Sequence, residues 1–153
     1  MMRTFTITNR GNKALRFDNK VDARGKRHYV KYSGSSSRTA VLNAWIKTLE
    51  YIPEDYSDQV TILLPNFIAF LTFEDNRKFW LENRCTKQGT ILTEEEWELV
   101  ARLDELIDNK NVKHISHAYC KSYINQREVR LAWNTTNKVL PIEIVAGIEE
   151  EAF

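Results

Sequence analysis

Ser33–Asn66, SGSSSRTAVLNAWIKTLEYIPEDYSDQVTILLPN, is the stretch that decides the architecture. Its first residues, Ser33 to Ser37, are small and polar and suit a turn followed by a helix cap. Leu42, Trp45, Ile46 and Leu49 then recur at i, i+3, i+4 and i+7, which predicts an amphipathic helix over roughly residues 36–51. Pro53 ends it, because proline lacks the amide hydrogen that a helix needs. After a polar linker, Val60-Thr61-Ile62-Leu63-Leu64 is a nearly continuous apolar run. Such a run suits a strand covered on both faces, at about residues 59–64. A helix feeding a buried central strand implies an α/β core.

Upstream, residues 3–9 alternate around Phe5 and Ile7 and read as a strand. Arg10-Gly11-Asn12 is a turn signal, residues 14–17 resume an extended pattern, and residues 19–25 are polar and read as a loop. Residues 26–32 read as a third strand. Short connections make these three an antiparallel meander. Downstream, Pro65 is placed to open the next helix at its first turn. Residues 66–84 read as one or two short helices, with Phe67, Phe70, Leu71 and Phe73 in the core. Residues 86–91 form a loop containing Gly89. Thr93-Glu94-Glu95-Glu96 matches a capping box, and its helix runs to Asn109 with Trp97, Val100, Leu103, Leu106 and Ile107 inward. Residues 111–117 read as a strand, residues 124–136 as a last helix, and residues 137–153 as a tail ending near Glu149-Glu150-Glu151. The order βββαβααβα gives a mixed five-stranded sheet, a three-stranded antiparallel meander plus parallel strands, with helices packed on its faces.

The 153 residues are expected to form a single domain, with its core in residues 3–136. No run of eighteen apolar residues is present, which argues against a membrane helix, and the first residues lack the apolar centre of a signal peptide. Cys85 and Cys120 have no CxxC spacing and are expected to be free thiols in a reducing cytoplasm. The net charge of +1 hides an asymmetry: residues 1–38 carry ten Lys and Arg against two Asp, a net +8, and the remainder is −7. A basic quarter of this kind suits an anionic partner, or else a solvated strand edge balanced by acidic helices nearby.

Several local patterns occur in a telling order. They are Ser36-Ser37-Arg38 before the first helix, Ala44-Trp45-Ile46-Lys47-Thr48-Leu49-Glu50 within it, and Gln59-Val60-Thr61-Ile62 in the fourth strand. Trp97 to Leu103, Asn111-Val112-Lys113, Asn125-Gln126-Arg127 and Leu131-Ala132 follow. Together, over residues 3–136, they resemble type 1 ribonuclease H. The matching features there are an N-N-R turn, an A-x-I-x-x-L-E helix and an N-E-R-x-D-x-L-A last helix. That family cuts the RNA strand of an RNA–DNA hybrid with four carboxylates that hold two Mg²⁺ ions.

Carried over position by position, the four carboxylates fall at Asn9, Val41 (Ala40 if the turn shifts by one), Pro65 and Val129. None is acidic. Hard Mg²⁺ needs charged oxygen ligands to displace its water, whereas valine offers none and the Asn9 amide offers one neutral oxygen. The resemblance therefore implies a degenerate site, with no bound metal, no cofactor and no catalysis. Asp18, Asp22, Glu50, Glu54, Asp55 and Asp58 are the acids from which a relocated site could be built. Other chemistry lacks a motif. His114 and His117 would point to opposite faces of one strand, zinc ligation with Cys120 would need a fourth ligand, and there is no GxGxxG or Walker loop.

Two functions compete at this point. The first is nucleic-acid binding without cleavage, to an RNA–DNA hybrid or structured RNA. In the family resembled, the sheet and the first-helix turn grip phosphates and 2′-hydroxyls. Here Asn9, Arg10, Lys13, Ser35, Ser36, Ser37 and Arg38 would supply that grip. The second is a protein-interaction or regulatory module, for instance of a phage or mobile element, that uses the fold as a scaffold. A ribonuclease with a relocated metal site is the third.

Overall fold

The molecule is built on one five-stranded sheet of order β3-β2-β1-β4-β5. The computed structural model describes residues 3–21, 27–56, 58–109 and 115–119, without the side chains of residues 10, 19–21, 27, 28, 109 and 119. β1 (Arg3–Arg10) and β2 (Lys13–Val21) form an antiparallel hairpin, with Phe5 opposite Asp18 and Arg10 opposite Lys13. Gly11 turns the chain between them at φ +60°, a conformation that glycine adopts without steric cost. β3 (Arg27–Ser33) is antiparallel to β2. β4 (Val60–Leu64) is parallel to β1, and β5 (Ile115–Tyr119) is parallel to β4.

α1 (Ser37–Tyr51) connects β3 to β4 across one face of the sheet. On that face Phe5, Ile7, Ala14, Val30, Tyr32, Val60, Ile62 and Leu64 join one core with α1. The other side of α1 packs on α3 (Glu94–Asn109) through Val100, Leu103 and Leu106. Sandwiched between two layers, α1 is buried almost all round, well beyond the four-residue stripe expected from its sequence. Ala40, Ala44 and Thr48 make this close packing feasible because they are small. The opposite face of the sheet carries Phe17 with Leu15, Tyr29 and Leu63 around it. β4 is therefore more fully buried on the α1 side than on the other.

The sequence-based boundaries need four corrections. β2 continues through Asp18 to Val21, where a loop was expected after residue 18. Ladder pairing with β3, closing at Val21 opposite Arg27 past a bulge, holds these polar residues extended. No helix opens at Pro65. The chain instead turns there, with Ile68 N–H donating to the Pro65 carbonyl at 3.2 Å, and enters a 3-10 turn at Ala69–Thr72 before α2 (Glu74–Asn83). Leu71 is buried and Phe67 packs against the core, but Phe70 is 38% exposed and Phe73 66% exposed, so these two are not core residues. β5 runs past its expected end at residue 117 to Tyr119, with Ile115 opposite Val60 and His117 opposite Ile62. The expected last helix at 124–136, the tail at 137–153, residues 111–114 with His114, and Cys120 lie outside the described residues.

Arg77 fixes the irregular connection after β4. Its guanidinium is buried, donates to Asp104 Oδ1 at 2.9 Å, and donates to the Leu71 and Thr72 carbonyls at 3.0 Å each. One side chain thereby satisfies the end of the 3-10 turn and ties α2 to α3. Paired and hydrogen-bonded in this way, a charge can be buried.

Candidate nucleic-acid interface

The N-terminus of α1 is stitched to the β1–β2 turn. Ser36 caps the helix: its hydroxyl accepts from Thr39 N–H at 3.2 Å, and Thr39 Oγ1 accepts from Ser36 N–H at 2.8 Å. The Ser37 hydroxyl donates to the Gly11 carbonyl, Asn12 Nδ2 donates to the Ser35 carbonyl at 3.3 Å, and Gly34 N–H donates to the Asn12 carbonyl at 3.1 Å. These bonds gather Asn9, Lys13 and Ser35–Ser37 at one corner, with Lys13 and Ser35 exposed. Arg10 ends β1 at the same corner, and its side chain lies outside the described residues. Arg38 leads away from the corner. Its Nη1 donates to Glu96 Oε2 at 2.7 Å, and its guanidinium lies 5.2 Å from the Trp80 ring centroid.

The positions at which the resemblance to type 1 ribonuclease H would place metal ligands lie beside this corner. β1 and β4 run parallel with Thr6 opposite Leu63, so Asn9 and Pro65 share the carboxyl edge of the sheet. Asn9 is half-buried, and its amide oxygen has no hydrogen-bond partner among the described residues. Val41 and Ala40 are fully buried in the main core, and Pro65 is buried as well. Val129 lies outside the described residues. One neutral oxygen among apolar side chains does not fit a divalent cation that demands charged oxygen ligands.

The alternative acids are engaged elsewhere or scattered. Asp18 pairs with Arg3, and Glu50 pairs with Arg102 at 3.0 Å and Lys47 at 3.5 Å. Burial pushes Glu50 up, but the hydrogen bond from Arg102 and the charge of Lys47 outweigh it and leave its pKa lowered. Glu54, Asp55 and Asp58 are exposed in the α1–β4 loop, and Asp22 lies outside the described residues. Among the described residues, no group of three His, Cys, Asp or Glu side chains could hold a metal ion.

His117 is a half-buried histidine packed edge-on against Trp45. Its Nε2 accepts from Trp45 Nε1–H at 3.1 Å, and burial, with help from the Arg77 charge, depresses its pKa to about 4. Cys85 is a half-buried free thiol. The basic N-terminal quarter is partly committed to internal contacts: Arg3 pairs with Asp18, Arg38 pairs with Glu96, and Arg16 stacks 4.7 Å from the Tyr51 ring centroid. The side chains of Arg24, Lys26 and Arg27 lie outside the described residues.

Next to Arg38 opens a cleft of about 300 Å³, lined by Phe70, Trp80, Asn76, Lys87 and Gln88. Lys87 and Gln88 sit at the tip of a tight turn. Gly89 N–H donates to the Thr86 carbonyl at 2.9 Å, and Thr90 N–H donates to Thr86 Oγ1 at 3.1 Å. Gly89 takes φ +91° to close that turn. Sequence reasoning missed this cleft. The polar loop before the capping box carries no periodicity, and nothing local links Arg38 to Trp80.

The sheet order and the helices packed on it define a ribonuclease H-like α/β fold. Comparison with solved structures gives the same class. The foamy viral protease-reverse transcriptase in complex with an RNA/DNA hybrid matches with a TM-score of 0.57 and 11% identity, over 85% of this chain and 19% of that one. The chain thus spans about a fifth of that neighbour. The same viral protein in complex with dsDNA matches with a TM-score of 0.52 and 10% identity, over 90% of this chain and 94% of that one. At such identities the matches establish the fold. No protein-family model and no curated protein matches the sequence. No helix among the described residues is long and apolar enough to cross a membrane.

Proposed function

We propose that this chain binds nucleic acid, an RNA–DNA hybrid or a structured RNA, without cutting it. The observation that carries the reading is the carboxyl edge of the sheet. A buried valine, a buried proline and one neutral amide occupy positions where the resemblance to type 1 ribonuclease H would require acids. With no carboxylate at Asn9, Val41 or Pro65, these positions do not repel phosphate, so binding against them has no need of Mg²⁺. The neighbouring corner supplies Lys13, Ser35 and a helix N-terminus, whose dipole favours anions. The viral proteins that share the fold were solved on an RNA/DNA hybrid and on dsDNA, which supports the class of ligand.

The test is a titration of the protein with hybrid, duplex DNA, duplex RNA and single strands in EDTA at two salt concentrations. Salt-sensitive binding that prefers the hybrid, with the strands intact after Mg²⁺ is added, is the expected result. Absence of binding at low salt removes the reading. It would leave the protein-interaction module, for which the 66% exposed Phe73 and the 80% exposed Ile91 are the favouring observation.

A further inference from the structure

We infer that the cleft between the start of α1, the 3-10 turn and the α2–α3 loop is a stacking pocket for one unpaired nucleobase of a single-stranded segment. The inference takes its class of ligand from the nucleic-acid reading, but it stands on other residues and is tested separately.

The pocket offers one aromatic face that the core does not use up, the 38% exposed ring of Phe70. Trp80 is buried as its floor, and Phe70 sits 5.3 Å from it with a partly exposed ring. The Arg38 guanidinium, held at 2.7 Å by Glu96, is a second planar surface over Trp80. Glu96 neutralises the Arg38 charge, so Arg38 contributes mainly a flat stacking face and its remaining N–H donors. A base has a π face whatever its identity, and stacking on aromatic and guanidinium planes is how single strands are held.

The rim supplies the other two functions that a nucleotide needs. Lys87 lies 5.9 Å from the Phe79 ring centroid, and no carboxylate comes within ion-pair distance of it among the described residues. A cation so placed suits the phosphate next to a stacked base. Gln88 is exposed at the turn tip and can donate and accept at once, as the edge of a base requires. A volume of about 300 Å³ admits a single flat ring system and excludes a duplex.

The experiment compares a fluorescent single-stranded hexanucleotide with the same backbone carrying abasic sites, by anisotropy. The proteins are the wild type, Phe70→Leu and Lys87→Gln. Phe70→Leu keeps an apolar contact with Trp80 and removes the π face; a melting curve checks that it folds. The wild type should prefer the base-containing strand by about tenfold, which is within the range measured for one base on one aromatic ring. Phe70→Leu should abolish that preference. Lys87→Gln should weaken both strands equally and reduce the salt slope by about one.

Equal affinity of the wild type for the two strands overturns the inference. So does a preference that survives in Phe70→Leu, or a failure to bind single strands at all. Binding to a blunt hybrid without base discrimination removes this pocket and leaves the proposed function standing. Base discrimination without binding to either a hybrid or a structured RNA does the reverse.

Discussion

Val41 is fully enclosed by the core, and that constrains any attempt to build a metal site there. A glutamate there would bury a carboxylate without a partner, or would have to stay protonated. Val41→Glu should lower stability by roughly 3–5 kcal/mol, the cost of an uncompensated buried charge; urea denaturation reads it. A near-neutral effect would mean that the helix can turn this position toward solvent. Gly34 is constrained by close approach. A Cβ there would lie 2.5 Å from the Ala40 amide nitrogen and 2.8 Å from the Thr39 carbonyl carbon, both backbone atoms that cannot yield. Gly34→Ala should therefore lower the melting temperature by several degrees, at roughly 2–4 °C per kcal/mol for a chain of this size, whereas Gly89→Ala meets open space and strains only φ.

His117 gives a pH dependence with a definite sign. Its folded pKa, about 4, lies below the ordinary 6.5, so the unfolded chain binds the proton first as pH falls. Its contribution is complete above pH 6.5 and is lost as pH falls from there toward 4. The full loss is about 3 kcal/mol, from 1.36 kcal/mol per pKa unit. His117→Gln keeps an acceptor for Trp45 without titrating. The stability difference between wild type and variant should then shift by that amount between pH 7 and pH 4, and a flat difference would refute the assignment.

At the scale of elements, the parts legible in the sequence are those whose signal is local. The stripe Leu42, Trp45, Ile46 and Leu49 and the reciprocal bonds of Thr93 and Glu96, both 3.1 Å, needed no distant partner. The same holds for Ser36, the α1 cap, so Ser36→Ala should cost about 1 kcal/mol by loss of the bond to Thr39 N–H. Thermal unfolding measures it. What was not legible depends on residues far apart in the chain. Arg77 reads as a surface charge on a short polar helix, yet it holds the 3-10 turn through partners on two elements. Because it fixes that turn, Phe70 and Phe73 face outward, although an aromatic-rich run reads as core. At the carboxyl edge of the sheet, Asn9, Val41 and Pro65 were legible only through a family pattern, because valine and proline in a core carry no signal of their own. The cleft residues Lys87 and Gln88 had no pattern to carry them at all.

For the whole molecule, the question is where a charged ligand would lie, since a net charge of +1 does not steer anything by itself. The two ends of β1 differ. Arg3, at its start, is tied to Asp18 and stacks near Phe5 and Tyr51, whereas Lys13 is exposed at the turn beyond its end, next to the α1 N-terminus. Eight residues of extended strand separate Arg3 from that turn, about 25 Å, which exceeds the roughly 8 Å over which charge is felt at physiological salt. A ligand seated at the α1 corner should therefore sense one and not the other. In titrations against the hybrid over a range of salt, Lys13→Gln should reduce the slope of log K against log salt by about one. Arg3→Gln should leave that slope unchanged while lowering the melting temperature, because it breaks a half-buried ion pair. The opposite pattern would move the nucleic acid to the far end of the sheet, away from Asn9, Val41 and Pro65, and would count against the binding edge proposed above.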